Sequence, residues 1–347
     1  MDTLPRERER VKFRPIFHIF DNIISVENLL AAWQEFLCGK RKRKDVMLFS
    51  VNLLENILLL HNQLVGKTYR HGPYHAFKIN DSKPRDIHKA TVRDRLLHHA
   101  IYRILYPYFD TKFIFDSYSC RNKKGTHCAI NRLRKYGRIV SKNNTRTVYV
   151  LKCDIKKFFA SIDHKILLDI LERKIGGNDP IKLLEEVIQS FHTENTRGKG
   201  LPLGNLTSQL FVNIYMNEFD QFVKRELKAK YYIRYADDFV ILNEDKKYLQ
   251  NLLLKIADFL KNKLNLSLNC KKVSIETLAS GVDFLGWVNF IYYRILRTKT
   301  KRRMFKNIKN NPSREILNSY LGLLKHGNSY KIKDKIVYEN KENIVGE

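Results

Sequence analysis

Two adjacent acids, Asp237 and Asp238, interrupt a stretch that otherwise reads as β-structure, with the apolar runs Tyr231 to Tyr235 and Phe239 to Leu242 on either side. Two such runs around a short polar break predict a hairpin with the acids at its tip. Like charges held together there repel, so the arrangement is costly unless a cation neutralises it. A hard divalent cation with oxygen ligands answers that demand best, and magnesium takes one or two carboxylates together with substrate phosphates.

Asp154 repeats the theme. It ends the apolar run from Tyr149 and is followed by Ile155-Lys156-Lys157-Phe158-Phe159. If this strand and the hairpin are neighbours in one sheet, three carboxylates converge at its end. That is a ligand set for two-metal phosphoryl transfer, in which one ion activates an attacking hydroxyl and the other steadies the leaving group. An Asp-Asp pair at a turn is common on its own; the third acid is what gives it weight.

Around these acids the chain alternates irregularly between helix and strand. Ser25 followed by Val26 to Cys38 reads as a capped amphipathic helix stopped at Gly39. The basic run Lys40 to Lys44 follows, then a second helix from Asp45 to about Leu64. Tyr74 to Ile79 and Arg85 to Ile87 read as short strands joined by the turn-forming stretch Asn80 to Pro84. Helical spacing returns over Asp94 to Phe109, His164 to Lys174, Leu206 to Leu227 and Glu244 to Leu264. A last strand pair is expected near Val282 to Arg297, and then a basic helical tail with Ser313 as an N-cap. The order is α+β rather than the regular alternation of a doubly wound sheet.

Composition narrows the partners. The 347 residues carry 64 Lys+Arg against 36 Asp+Glu, a formal net charge of +28, and are 44% hydrophobic. That describes a folded chain with a nucleic-acid signature. No apolar run approaches the roughly 20 residues a membrane-spanning helix needs. Met1 to Arg10 is too charged for a signal peptide. Cys38, Cys120, Cys128, Cys153 and Cys270 show no zinc-ligand spacing and read as free thiols in a reducing, cytoplasmic compartment. Cys153, beside Asp154, reads as a small core residue, and His98-His99 as structural or solvent-facing.

With these residues laid out, the chain resembles a reverse transcriptase from about Tyr74 to Arg297. Lys152-Cys153-Asp154 with Phe158-Phe159 resembles the first catalytic block of that family. Gly200-Leu201-Pro202-Leu203-Gly204 resembles its substrate-contact block, Tyr235-Ala236-Asp237-Asp238 its second catalytic block, and Phe284-Leu285-Gly286-Trp287 its primer grip. The resemblance implies a right-hand polymerase fold: an N-terminal helical extension over 1–68, fingers over 69–147, an antiparallel-sheet palm over 148–296 and a helical thumb over 297–347. It implies two Mg2+ ions, with Mn2+ as a substitute, at Asp154, Ile155, Asp237 and Asp238. Lys83-Pro84-Arg85 matches the fingers segment, so Arg85 would grip the phosphates of a deoxynucleoside triphosphate; otherwise it is a solvated turn arginine. Phe159 matches the aromatic steric gate beside Phe158, or is a plain core ring. Gln209 falls within the substrate block, and Lys271 or Lys272 matches a basic position after the palm helix.

The family usually has Gln where Leu203 stands. Leu203-Gly204-Asn205-Leu206-Thr207-Ser208-Gln209 and the upstream Arg121 to His127 resemble the error-prone enzymes of diversity-generating retroelements. An aliphatic side chain cannot offer the hydrogen bonds of Gln, so base-pair selection is expected to be looser, unless the change is a lineage swap without consequence. Group II intron, retron and phage-defence reverse transcriptases share the palm and stay open as alternatives. A non-catalytic RNA-binding protein on the same scaffold has no use for converged acids, and a metal-dependent nuclease explains neither the substrate block nor the primer grip. The tail after 297 suffices for a thumb and not for an RNase H or endonuclease domain. Expected partners are template RNA, cDNA or primer and a small accessory protein subunit, with no membrane.

Overall fold

A computed structural model describes residues 18–80, 84–193 and 196–340. In chain order the elements begin with helices α1 (Ile19–Ile24), α2 (Val26–Phe36), α3 (Lys44–Val51) and α4 (Leu53–Val65), strands β1 (His75–Asn80) and β2 (Pro84–Lys89), and helices α5 (Val92–Asp110) and α6 (Thr126–Val140). Strand β3 (Tyr149–Asp154) leads into the single turn α7 (Phe158–Ser161), then α8 (His164–Glu172), α9 (Asn178–Gln189) and α10 (Leu206–Gln221). Strands β4 (Tyr232–Tyr235) and β5 (Asp238–Asn243), α11 (Lys246–Leu264), β6 (Ser274–Thr277), β7 (Val282–Phe284), β8 (Trp287–Asn289) and β9 (Arg294–Leu296) follow, before α12 (Thr298–Asn310), α13 (Arg314–Leu324) and α14 (Tyr330–Glu339).

The chain divides into two compact units, each discontinuous in sequence. The first takes the described residues up to 113 with 157–218 and 264–266; the second takes 114–156, 219–263 and the chain from 267 onward. In the first unit, α5 packs against α1 and α2, and α8 against α9. The hairpin β1–β2 pairs His75 with Lys89 and Asn80 with Pro84. In the second unit a four-stranded antiparallel sheet runs β4-β5-β3-β6, and a three-stranded sheet runs β7-β8-β9. Helix α6 lays Ile130, Leu133 and Tyr136 on β4 and β5, where Val150, Ile233 and Val240 complete a buried apolar core. Burying each such side chain contributes about 1.5–3 kcal/mol before the entropy of ordering is counted.

Several sequence-level expectations hold in detail. Ser25 caps α2 by accepting from the Asn28 amide, and Ser313 caps α13 by accepting from the Ile316 amide. Others are corrected. The helix begun at Val26 ends at Phe36, two residues earlier, and Gly39 (φ 66°) turns the chain beyond it. The single helix expected over Asp45 to Leu64 is two, broken at Asn52 (φ −113°, ψ 44°). The helical stretch from Leu206 leaves α-geometry at Gln221 and continues as a π-turn, Phe222–Glu226. The strand pair near Val282 to Arg297 is three strands. Asp81, Ser82 and Lys83 of the expected turn and fingers segment lie outside the described residues. Among the described residues no helix is long and apolar enough to cross a membrane.

Candidate active site

The acids stand where alternation and register put them. β3 and β5 are antiparallel neighbours with Asp154 directly opposite Asp238, the last rung of the ladder. β4 pairs with β5 so that Tyr235 faces Asp238, leaving Ala236-Asp237 as a two-residue loop. Ala236 has φ 54° and Asp237 does not share that region, the signature of a type II′ hairpin turn. That turn favours Gly at its first loop position, so an alanine there carries strain of about 1–2 kcal/mol. The Ile155 amide donates to the Asp237 carbonyl at 3.2 Å, tying the tip to the strand that bears Asp154.

Asp154 is 3% exposed, and both of its carboxylate oxygens are engaged. Lys272 Nζ donates to Oδ1 at 2.5 Å and Asn269 Nδ2 to Oδ2 at 3.2 Å. The Asn269 amide also donates to the Asp154 carbonyl at 2.8 Å. Burial works against the Lys272 ammonium, but its hydrogen bond to Asp154 and the charges of the three acids outweigh it and hold its pKa above the usual lysine value. Asp238 is pushed up to about 7 by burial first, then by the charges of Asp237 and Asp154, with Lys152 opposing and a hydrogen bond to Asp154 adding. Near neutral pH the Asp238 carboxyl is therefore poised between its protonated and charged forms. Cys153 is buried, its thiol pushed up to about 12, and takes no part as a nucleophile.

Whether these groups suit a divalent ion is a question of donor chemistry. All are hard oxygens, and burial together with their mutual repulsion disfavours the charged form of Asp238, which a cation would favour. Each Asp154 oxygen keeps a lone pair beyond the one its partner uses. Among the described residues no three His, Cys, Asp or Glu side chains close around one point. The expected convergence of three carboxylates is thus not seen; Asp154 and Asp238 face each other across the ladder, and an ion held there would draw the rest of its shell from water and substrate phosphates.

The remaining sequence candidates fall into two further groups. In the first unit, Arg85, Phe159 and Leu203 line one cavity of about 620 Å³, together with His88, Phe191 and His192. The His88 amide donates to the Leu203 carbonyl at 3.0 Å, and Asn205 Nδ2 to the His88 carbonyl at 2.9 Å, so the substrate block is laced to β2. Gly204 (φ 105°) permits the approach, since a Cβ there would lie 2.8 Å from Ile87 Cγ2. Phe158 is buried and meets Phe159 edge-on, while Gln209 sits on the first turn of α10 and does not line the cavity. In the second unit, Phe284 pairs with Trp287 across the loop Leu285-Gly286, whose φ values are 52° and 85°.

Sequence reading missed Asn269 and the buried pair Asp220–Arg234. Asn269 stands two positions before the basic candidates Lys271 and Lys272, a spacing that offered no signal. Arg234, within a β-run, had only its charge to mark it as out of place.

Comparison with known proteins gives the family. Residues 76–288 match the family described as reverse transcriptase (RNA-dependent DNA polymerase), and the chain belongs to that family. It is thus a nucleotidyltransferase of right-hand polymerase fold, and such enzymes work with divalent metal ions. Protein YkfC of Escherichia coli (strain K12) is 24% identical over 318 residues, covering 80% of this chain and 81% of the relative. The group II intron-encoded protein LtrA of Lactococcus lactis subsp. cremoris is 27% identical over 210 residues, 58% of this chain and 34% of LtrA. The chain thus spans about a third of that relative's length. Among solved structures, telomerase from Candida albicans in complex with a TWJ fragment of telomeric RNA aligns with TM-score 0.49 at 11% identity, over 80% of this chain and 58% of that one.

Proposed function

We propose that the chain copies an RNA template into cDNA by two-metal nucleotidyl transfer, with Asp154, Asp237, Asp238 and the adjoining Ile155 as the metal-binding positions. The observation that carries this is the ladder rung that sets Asp154 opposite Asp238 at the sheet's end, where Asp238 is pushed up to about 7. Two bound Mg2+ ions, or Mn2+ in their place, would supply the charge that stabilises the attacking 3′-oxygen and the departing pyrophosphate. Lys272 and Asn269 hold Asp154 in a fixed orientation.

In the first unit the cavity fits a deoxynucleoside triphosphate. Arg85 is exposed at its lip to meet phosphates, Phe159 offers a ring against a ribose 2′-hydroxyl, and Leu203-Gly204 presents an aliphatic floor held by β2. Gln209 belongs to the same block and Phe158 buttresses Phe159. Phe284-Leu285-Gly286 is read as the primer grip. In this reading 69–147 serves as fingers, 148–296 as palm and 297–347 as thumb. The net charge of +28 supports template RNA and cDNA as partners through salt-dependent phosphate contact.

Within the family, Leu203 in place of Gln supports an error-prone enzyme of a diversity-generating retroelement, working with a small accessory protein. The likeness to LtrA favours a second reading, a group II intron-like enzyme, and phage-defence or retron roles share the same site. Sequencing cDNA made by wild type and Leu203→Gln separates them. Fewer errors opposite template adenine in the variant support the retroelement reading, and unchanged error spectra reject it.

A further inference from the structure

Arg234 is 0% exposed in the interior of the second unit, on a strand whose other fully buried residues are Tyr232 and Ile233. A buried guanidinium is seldom kept for stability alone, because apolar packing of similar volume does as well or better. Its hydrogen bonds say what it is kept for. Nε donates to Asp220 Oδ1 at 2.7 Å and Nη2 to Asp220 Oδ2 at 2.6 Å, a bidentate pair that fixes the plane of the fork. Nη2 also reaches Ser117 Oγ at 3.1 Å. That leaves Nη1 aimed along its own strand, where it donates to the Ala236 carbonyl at 3.2 Å. Tyr232 donates to Asp220 Oδ1 at 2.7 Å, so the anchor is itself held. The backbone of Arg234 is pinned too, its amide on the Asp116 carbonyl and its carbonyl accepting from the Tyr118 amide, both at 3.0 Å.

The Ala236 carbonyl belongs to the peptide that leads into Asp237. The next carbonyl, that of Asp237, accepts from the Ile155 amide. Both peptides flanking Asp237 are therefore fixed, one by a buried side chain and one by the strand that carries Asp154. Ala236 stands at φ 54°, where an alanine does not stay unaided.

We propose that Arg234, anchored by Asp220, is a positioning residue of the active site: it holds the strained Ala236-Asp237 turn and thereby sets Asp237 and Asp238 against Asp154. This rests on the metal-site reading above. It assigns to the pair an effect on metal affinity that a merely structural ion pair would not have.

The test uses the full chain and two designs. Arg234→Met with Asp220→Leu removes the tether without leaving a buried charge unpaired, and Arg234→Lys keeps a charge for Asp220 but loses the fork. Each is made alone and with Ala236→Gly, which supplies a residue at ease with positive φ. Mn2+ binding to the metal-free protein is read by electron paramagnetic resonance, and primer extension on an RNA template by rate against Mg2+ concentration. Loss of the tether is expected to weaken Mn2+ binding and raise the Mg2+ requirement by about 10- to 100-fold, as when groups supporting metal ligands are removed. Ala236→Gly should return much of that loss. Folded variants, shown by a single cooperative thermal melt, that bind Mn2+ as the wild type does overturn the proposal, as does a failure of Ala236→Gly to rescue either design. If wild type binds Mn2+ but extends no primer, the polymerase reading fails while the Mn2+ arm still decides the role of Arg234.

Discussion

Tyr235 to Asp238 and Phe284 to Trp287 are both hairpins closed by a two-residue loop, and in both the first loop residue is a non-glycine at positive φ, Ala236 at 54° and Leu285 at 52°. In each, a buried polar side chain on a flanking strand reaches back into the turn. Asn289 Nδ2 lies within 3.1–3.3 Å of the Val282, Phe284 and Trp287 carbonyls, and Arg234 Nη1 donates to the Ala236 carbonyl. The differences lie in charge and in the second loop residue. Gly286 completes a type I′ turn that its own backbone favours, so a neutral amide suffices to hold it. Asp237 completes a turn that prefers a glycine it does not have, at a tip crowded with acids. Holding that tip takes a charged fork and a buried counter-ion. Local chemistry specifies the Leu285-Gly286 turn; tertiary contacts impose the turn that bears the acids.

The largest expected effect breaks the costlier device. Asp220→Ala alone strands Arg234 as an unpaired buried charge and should lower stability by about 3–5 kcal/mol in denaturant unfolding. A loss below about 1 kcal/mol would mean the pair is not what holds β4 in place.

A smaller effect concerns the acids themselves. In the folded, metal-free chain Asp238 keeps its proton up to about 7, whereas an unfolded aspartate releases it near 3.8. The folded state thus holds the extra proton between those values, so the contribution of Asp238 to stability is fully present below pH 3.8 and lost as pH rises through about 7. Relative to Asp238→Asn, wild type should lose stability between acid and mildly alkaline pH, and Mg2+ should restore part of it. Parallel stability curves for the two proteins would contradict this sign.

The smallest effects sharpen the backbone contrast. Gly286→Ala places a side chain at φ 85° with only Thr300 Oγ1, 3.8 Å away, near the new Cβ, so its cost is backbone alone. It should lower stability by about 1 kcal/mol, and Ala236→Gly should raise it by a similar amount. Thermal melts of the two variants should therefore shift in opposite directions.

Much of this was legible in the sequence because it is written in local patterns. The acids interrupt two apolar runs, which give the hairpin, and Ser25 and Ser313 precede helices they cap. What could not be read depends on partners far along the chain. Nothing near Asn52 announces a helix break, since neither Gly nor Pro stands there. Helix α6 went unassigned, and Gly137 within it is small because Leu278 packs on it, with a Cβ there 2.4 Å from Leu278 Cδ2. Arg234 looked like one polar residue in a strand until Asp220, 14 positions away, gave it a counter-ion and a direction.

The central claim is that Asp154 and Asp238, paired across β3 and β5, serve a metal-dependent polymerase. Primer extension on an RNA template, with deoxynucleotides and Mg2+, tests it in wild type, Asp154→Ala and Asp238→Asn. Wild type should extend the primer, stop on chelation of the metal and lose at least about 10²-fold of its rate with either substitution. Extension by either variant at the wild-type rate would contradict the account.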